Sequence, residues 1–341
     1  MTRTGHGEGH EDSTTADTTA DTPTDTAAAA PGDTAGAHAP AAGGGDDTGS
    51  TAADPHPLLR EAPSTVALLA DERDFTAMRH HPPYAGIADH AAYLRVMEQL
   101  LRTLTAQGVH TTLALFDPAR FEAYCADARL DPGSAGSRTR YTADVAAAGA
   151  TVPYDGQPLE QLLPVLLDAS DRRADLEHAT LLLATAGDCA TCGADIGHAA
   201  YARASEALMR LAEAAGPGEH HLVCTVPAGD VQLSAALHAR SGDGEGDGML
   251  LAEADALLFC SVLAAGIAGG SPGGVVVRTT GPKGHDRVRG WALRGAWLRP
   301  LTAAEVFTAY CTDPVTGEPV PPEPGLEHLP GIGLPEPDDH C

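Results

Sequence analysis

The chain has 341 residues, with 21 Lys and Arg against 47 Asp and Glu, a formal net charge of -26 and only 4% aromatic residues. An acidic field of this size repels phosphate backbones and anionic headgroups, so neither nucleic acid nor a membrane surface is an expected partner. The N-terminus lacks the basic-then-apolar order of a secretory signal, and the longest apolar run, Ala256 to Ala268, is shorter than the ~20 residues of a spanning helix. The 7 cysteines are odd in number and scattered, as expected of buried thiols in a cytoplasmic protein.

Residues 1–60 are mostly Ala, Thr, Gly, Asp and Pro with no aromatic side chain, so they have too little apolar surface to offset the entropy of ordering a backbone. They read as a disordered acidic tail. Ser64 to Ala70 is rich enough in Val and Leu for a buried strand, and it runs into the charged cluster Asp71, Glu72, Arg73 and Asp74. Asp89 is placed to cap a helix carrying Tyr93, Met97, Leu100, Leu101 and Leu104 at helical spacing, closed by Gly108. Val109 to Phe116 reads as a second strand, and Asp117-Pro118 opens the helix behind it.

A helix over residues 138–148, a short extended piece at 151–154 and a Leu-rich helix from Pro158 follow, the last expected to bend or split at Pro164. His178 to Ala186, with its continuous Thr-Leu-Leu-Leu core, predicts a third buried strand, followed by a helix over 195–215 and a strand at 220–226. The repeated strand-helix order predicts an α/β domain over 61–218: a mostly parallel, Rossmann-like sheet with helices on both faces.

Beyond it, residues 219–312 predict a smaller α+β region with antiparallel hairpins, through alternation at Val231 to His238 and strands bearing Trp291 and Trp297. An apolar helix near Ala252 to Ala268 and a Thr302/Glu305 capping box belong to the same region. Residues 313–341 form a Pro/Gly-rich tail.

Ligands of parallel sheets bind at the carboxyl ends of the strands. Asp71, Arg73, His80 and His81 follow the first strand, and they are the expected site for a small anionic ligand. Asp117 also follows a strand, but an N-cap role is sufficient for it. The sequence assembles no nameable catalytic constellation.

The alternative is a metal- or redox-responsive regulatory protein acting through Cys189-Ala-Thr-Cys192 at a strand-helix junction, where helix amides stabilise a thiolate. This junction alone resembles the thioredoxin active-site turn. Asp188 stands where that family has Trp, so no activity is carried over. As a metal site, Cys189, Cys192 and His198 would be the ligands, with His220 or His221 as a fourth, and zinc the cofactor; the plain alternative is incidental buried or loop cysteines. Lys283, the only lysine, sits in a Gly-rich turn that reads as a hairpin end, since it lacks P-loop spacing. A third reading is an interaction protein recruiting partners through its tails.

Overall fold

The structure, a computed structural model, describes residues 64–241, 249–281, 285–313 and 316–337; the N-terminal tail and Lys283 lie outside them. A first sheet holds β1 (Ser64–Leu68), β2 (Thr111–Leu115) and β3 (Val152–Tyr154) in the order β1-β2-β3. β1 and β2 run parallel, and β3 is antiparallel to β2.

Strand alternation sorts the side chains of this sheet onto two faces. Val66, Leu68 and Leu113 pack on Leu101 of α2 (His90–Ala106) and on Leu159, Leu162 and Leu166 of α5 (Leu159–Ala184). On the other face, Ala67 joins Leu69 and Phe116 just beyond the strands. They meet Phe75 of α1 (Glu72–Met78), Phe121 of α3 (Pro118–Ala128) and Tyr141 of α4 (Ala135–Ala148). Phe116, Phe121 and Tyr141 form an aromatic triangle with centroids 5.0–5.4 Å apart. Four of these helices start where a short polar side chain takes up an amide: Asp71 caps α1, Asp89 α2, Asp117 α3 and Ser134 α4.

The rest of the chain overturns the mostly parallel, Rossmann-like sheet. Seven strands form a second sheet, in the order β10-β8-β7-β4-β5-β6 with β9 on β8. They are β4 (Gly218–Ala228), β5 (Val231–Ser241), β6 (Met249–Leu251), β7 (Gly273–Thr279), β8 (Asp286–Arg294), β9 (Trp297–Pro300) and β10 (Leu326–His328). All its pairings are antiparallel except that of the short β10 with β8.

The expected third parallel strand at 178–186 is the end of α5, a helix of 26 residues that continues through Pro164. Ala179 is buried and Leu182 and Leu183 pack inward, while Leu181 is 62% exposed. That is helical periodicity, which an unbroken run of leucines conceals.

The core of the second sheet lies on one face, where Leu222, Cys224 and Val226 of β4 alternate into the same layer as Leu233, Ala235 and Leu237 of β5. Against them lies α7 (Glu253–Gly269), flanked by α5 and α6 (Ile196–Ala215). Every residue of α7 from Leu258 to Ile267 is buried, so this stretch of the helix has no solvent-facing side.

Two glycines set the packing distances. A Cβ on Gly266 would stand 2.8 Å from Leu293 and 2.9 Å from Val226, and one on Gly197 would stand 2.4 Å from the carbonyl oxygen of Leu183. The capping box expected at Thr302 and Glu305 opens α8 (Ala303–Tyr310). No described helix is long and apolar enough to cross a membrane.

Candidate functional site

α4 begins at a tightly tied loop. Ser134 Oγ accepts from the Ser137 amide (3.0 Å), Ser137 Oγ donates to the Asp131 carbonyl (2.6 Å), and Arg138 Nη1 donates to the Gly133 carbonyl (3.2 Å). From that anchor the helix presents two stripes. Ser137, Tyr141 and Val145 turn to the core. Arg138, Thr139, Thr142, Ala143, Ala146 and Ala147 turn the other way, at the i, i+4, i+8 spacing of one helical face, and line a cleft of about 840 Å³.

Its opposite wall is the β1 side of the first sheet, with Thr65, Val66, Ala67 and Thr112; Phe116, Pro83 and Tyr84 close one end. Thr65 and Thr112 share a hydroxyl hydrogen bond of 2.9 Å across the strands. The cleft is open because its walls carry Ala and Thr where a core would carry Leu or Ile. A volume of ~300–1,000 Å³ is the ordinary size of a small-molecule site.

Among the described residues of this lining Arg138 carries the only charged side chain, and none of them is a carboxylate, imidazole or thiol. Among the described residues the guanidinium donates only to the Gly133 carbonyl. It lies close enough to Tyr84 to act on the phenol, whose pKa burial pushes up and Arg138 partly draws back. Tyr84 is held by the ring of Tyr93 at 6.0 Å, and the Tyr93 hydroxyl accepts from the Leu69 amide (3.1 Å). The cation and the phenol therefore mark the carboxyl end of β1.

The main chain of β1 adds a second polar surface. The Ser64 amide donates to His110, and the Leu68 carbonyl accepts from Phe116. With the register Ser64↔Thr111 to Leu68↔Leu115, these bonds fix the phase of the parallel ladder, so Ser64, Val66 and Leu68 bond toward β2. The N–H and C=O of Thr65 and Ala67 point the other way, along the edge that borders the cleft. No described strand pairs with that edge.

The residues expected to bind the anion lie elsewhere. The Asp71 carboxylate accepts from the Asp74 amide (2.8 Å) as the cap of α1, and the Arg73 side chain is 86% exposed beside Asp74. His80 and His81 follow the other end of α1, a helix of seven residues. None of the four lines the cleft, although Pro83 and Tyr84 follow the histidines directly. Arg138 and Tyr84 went unnoticed in the sequence, where the available signal was the Ala/Thr stripe opposite Tyr141 and Val145.

Cys189 and Cys192 sit in a loop between two helices, α5 and α6, where a strand-helix junction was expected. The loop is tied by the Cys189 amide to the Ala194 carbonyl and the Gly193 amide to the Cys189 carbonyl, each 2.8 Å. The two cysteines are 3.6 Å apart, and the amides of Cys192 and Thr191 draw the Cys189 thiol pKa down. Cys192 is disulfide-bonded, which occupies the sulfur that zinc would need. Among the described residues no three His, Cys, Asp or Glu side chains gather as a metal set, so Cys189, Cys192 and His198 do not fit zinc.

No curated protein and no solved structure matches the chain. Over residues 53–157, the stretch that carries β1, β2, β3 and α4, the chain is similar to a family whose model is described as Domain of unknown function (DUF8829).

Proposed function

We propose that the protein is a receptor for a small organic anion, held in the cleft between β1 and α4. The observation that carries this reading is a cleft of about 840 Å³ walled by small side chains, with the Arg138 guanidinium as the one charged group among its described residues. A carboxylate taken up there forms a charge-assisted bond with a cation that has no acidic partner among the described lining residues.

Binding fits this lining better than turnover. Its described residues offer no imidazole, carboxylate or thiol as base or nucleophile, and the raised pKa of Tyr84 keeps its phenol protonated at neutral pH. The acidic net charge argues against nucleic acid and anionic membranes as partners.

The test is a thermal-shift panel of small organic acids, simple monocarboxylates and N-acetylated short peptides with a free carboxylate, on the wild type, on Arg138→Met and on Ala143→Leu, which fills the cleft. Stabilisation of the wild type by a member of the panel, and of neither variant, is the expected result. A panel without any stabilising acid, or a shift retained in both variants, sinks the reading.

A second reading, favoured by the 3.6 Å approach of Cys189 to Cys192, is that this loop responds to redox conditions. Mass mapping after diamide and after dithiothreitol should show different pairing at these two residues. The same map under both conditions would rule it out.

A further inference from the structure

The polar groups around the cleft are of two kinds, and their arrangement selects among organic anions. Arg138 and Tyr84 form a cationic and hydrogen-bonding end at the carboxyl terminus of β1. Leading to that end, Thr65 and Ala67 present two outward N–H and C=O pairs, and residues two apart along a strand repeat every ~6.7 Å. This is the spacing at which another extended backbone offers its own amides and carbonyls. A simple aromatic or aliphatic acid satisfies the cation and leaves these main-chain groups without partners.

We infer that the ligand is the C-terminal end of a short free peptide, added to the open edge of β1 as a strand parallel to it, with its terminal carboxylate at Arg138 and Tyr84. The inference rests on the cleft being the binding site, as proposed above. Direction follows from charge: the one cation among the described lining residues stands at the carboxyl end of β1, so the peptide's own carboxyl end lies there too. Length follows from the edge, since the stretch from Thr65 to Ala67 accommodates about three residues at ~3.3 Å each.

Side chains alternate across such a strand, and those on the α4 side meet Thr139, Thr142, Ala143 and Ala146. These small walls leave room for a branched apolar side chain. Edge-strand addition gives affinity through main-chain bonds and selectivity through such alternate pockets.

The experiment uses the full chain and four probes: N-acetyl-Ala-Leu-Ala as the free acid, its C-terminal amide, the acid methylated on the leucine nitrogen, and 4-methylpentanoate, which lacks a peptide bond. Titration calorimetry and amide hydrogen exchange at Thr65 and Ala67 are the readouts. The free acid is expected to bind and to slow exchange at both amides. The C-terminal amide and the N-methyl peptide should bind about tenfold more weakly or worse, and Arg138→Met should erase the difference between acid and amide.

If 4-methylpentanoate binds as tightly as the peptide in an Arg138-dependent way, the peptide inference falls and the organic-anion receptor stands. Peptide binding without protection of Thr65 and Ala67 also overturns the strand-addition mode. If neither probe binds, both readings fall.

Discussion

His221 and His238 stack face to face across β4 and β5, with ring centroids 4.4 Å apart and planes 13° from parallel. His221 is also the register partner of Arg278 on β7, so three potential cations lie in one row across three strands. Burial first, then His238 and Arg278, hold the pKa of His221 below its usual value. The folded protein therefore resists protonation more than the unfolded chain does. The resulting stability is fully present above the unfolded value of ~6.5 and is lost as pH falls through the lower folded value. Melting temperature should decline from pH 7.5 to pH 5, and His221→Phe, which keeps a ring in the stack, should flatten that decline. The variant slope should not reach zero, because buried His220 is shifted in the same direction. An identical slope in the variant would remove the stack from the explanation.

Arg278 ties β7 to the segment ahead of β10. It donates to Asp286 (2.8 Å) and, with two nitrogens, to Glu323 (2.9 and 2.7 Å). Both carboxyl groups are held below their usual pKa, Asp286 by the Gly281 amide and then Arg278, Glu323 by Arg278. Their contribution is present above about pH 4 and disappears as pH falls through the lowered values. Arg278→Met should melt about 2–4 °C below wild type at pH 7, with the gap closing in acid. A gap of the same size at pH 3 would point to lost packing instead.

The two tryptophans hold the C-terminal segment. Trp291 Nε1 donates to the Ile332 carbonyl (2.8 Å) and Trp297 Nε1 to the Leu334 carbonyl (3.2 Å), and both rings are buried. Ending the chain after Pro330 leaves both indole donors without these acceptors, at about 1–3 kcal/mol for each buried group. Tryptophan emission should shift to the red and urea midpoints should fall. Unchanged emission would mean that the segment is not what shields these rings.

The two close-packing glycines should rank by what opposes them. At Gly266 an added methyl meets the tips of Leu293 and Val226, which can turn aside, and overpacking of that kind costs about 1–3 kcal/mol. At Gly197 the methyl meets the Leu183 main-chain oxygen, which cannot move without moving α5. Gly197→Ala is therefore expected to destabilise more than Gly266→Ala in urea titrations, and the reverse order would contradict this account of the α5–α6 approach.

Local chemistry was legible in the sequence where a residue acts on its near neighbours. Asp89, Asp117 and the Thr302/Glu305 pair cap the helices they were expected to cap, and the β4–β5 hairpin follows its alternation. Strand direction was not legible, because the parallel sheet was inferred from counting strand-helix repeats and one counted strand is helical. A buried helix end and a buried strand both read as runs of Leu, and only the exposure of Leu181 separates them. The cleft was hidden for a different reason: it is made by what its walls lack, and Ala and Thr on α4 give no signal of what stands opposite.

α5 serves two cores with one continuous helix. Leu159, Leu162 and Leu166 close the first sheet, whereas Leu176, Ala179, Leu182 and Leu183 pack in the core of the second. The family similarity ends at residue 157, two positions before the first of these leucines. A fragment cut at that point would carry every described lining residue of the cleft and yet expose Leu68, Leu101 and Leu113 to water, so the stretch similar to the family borrows its lid from the residues that follow it.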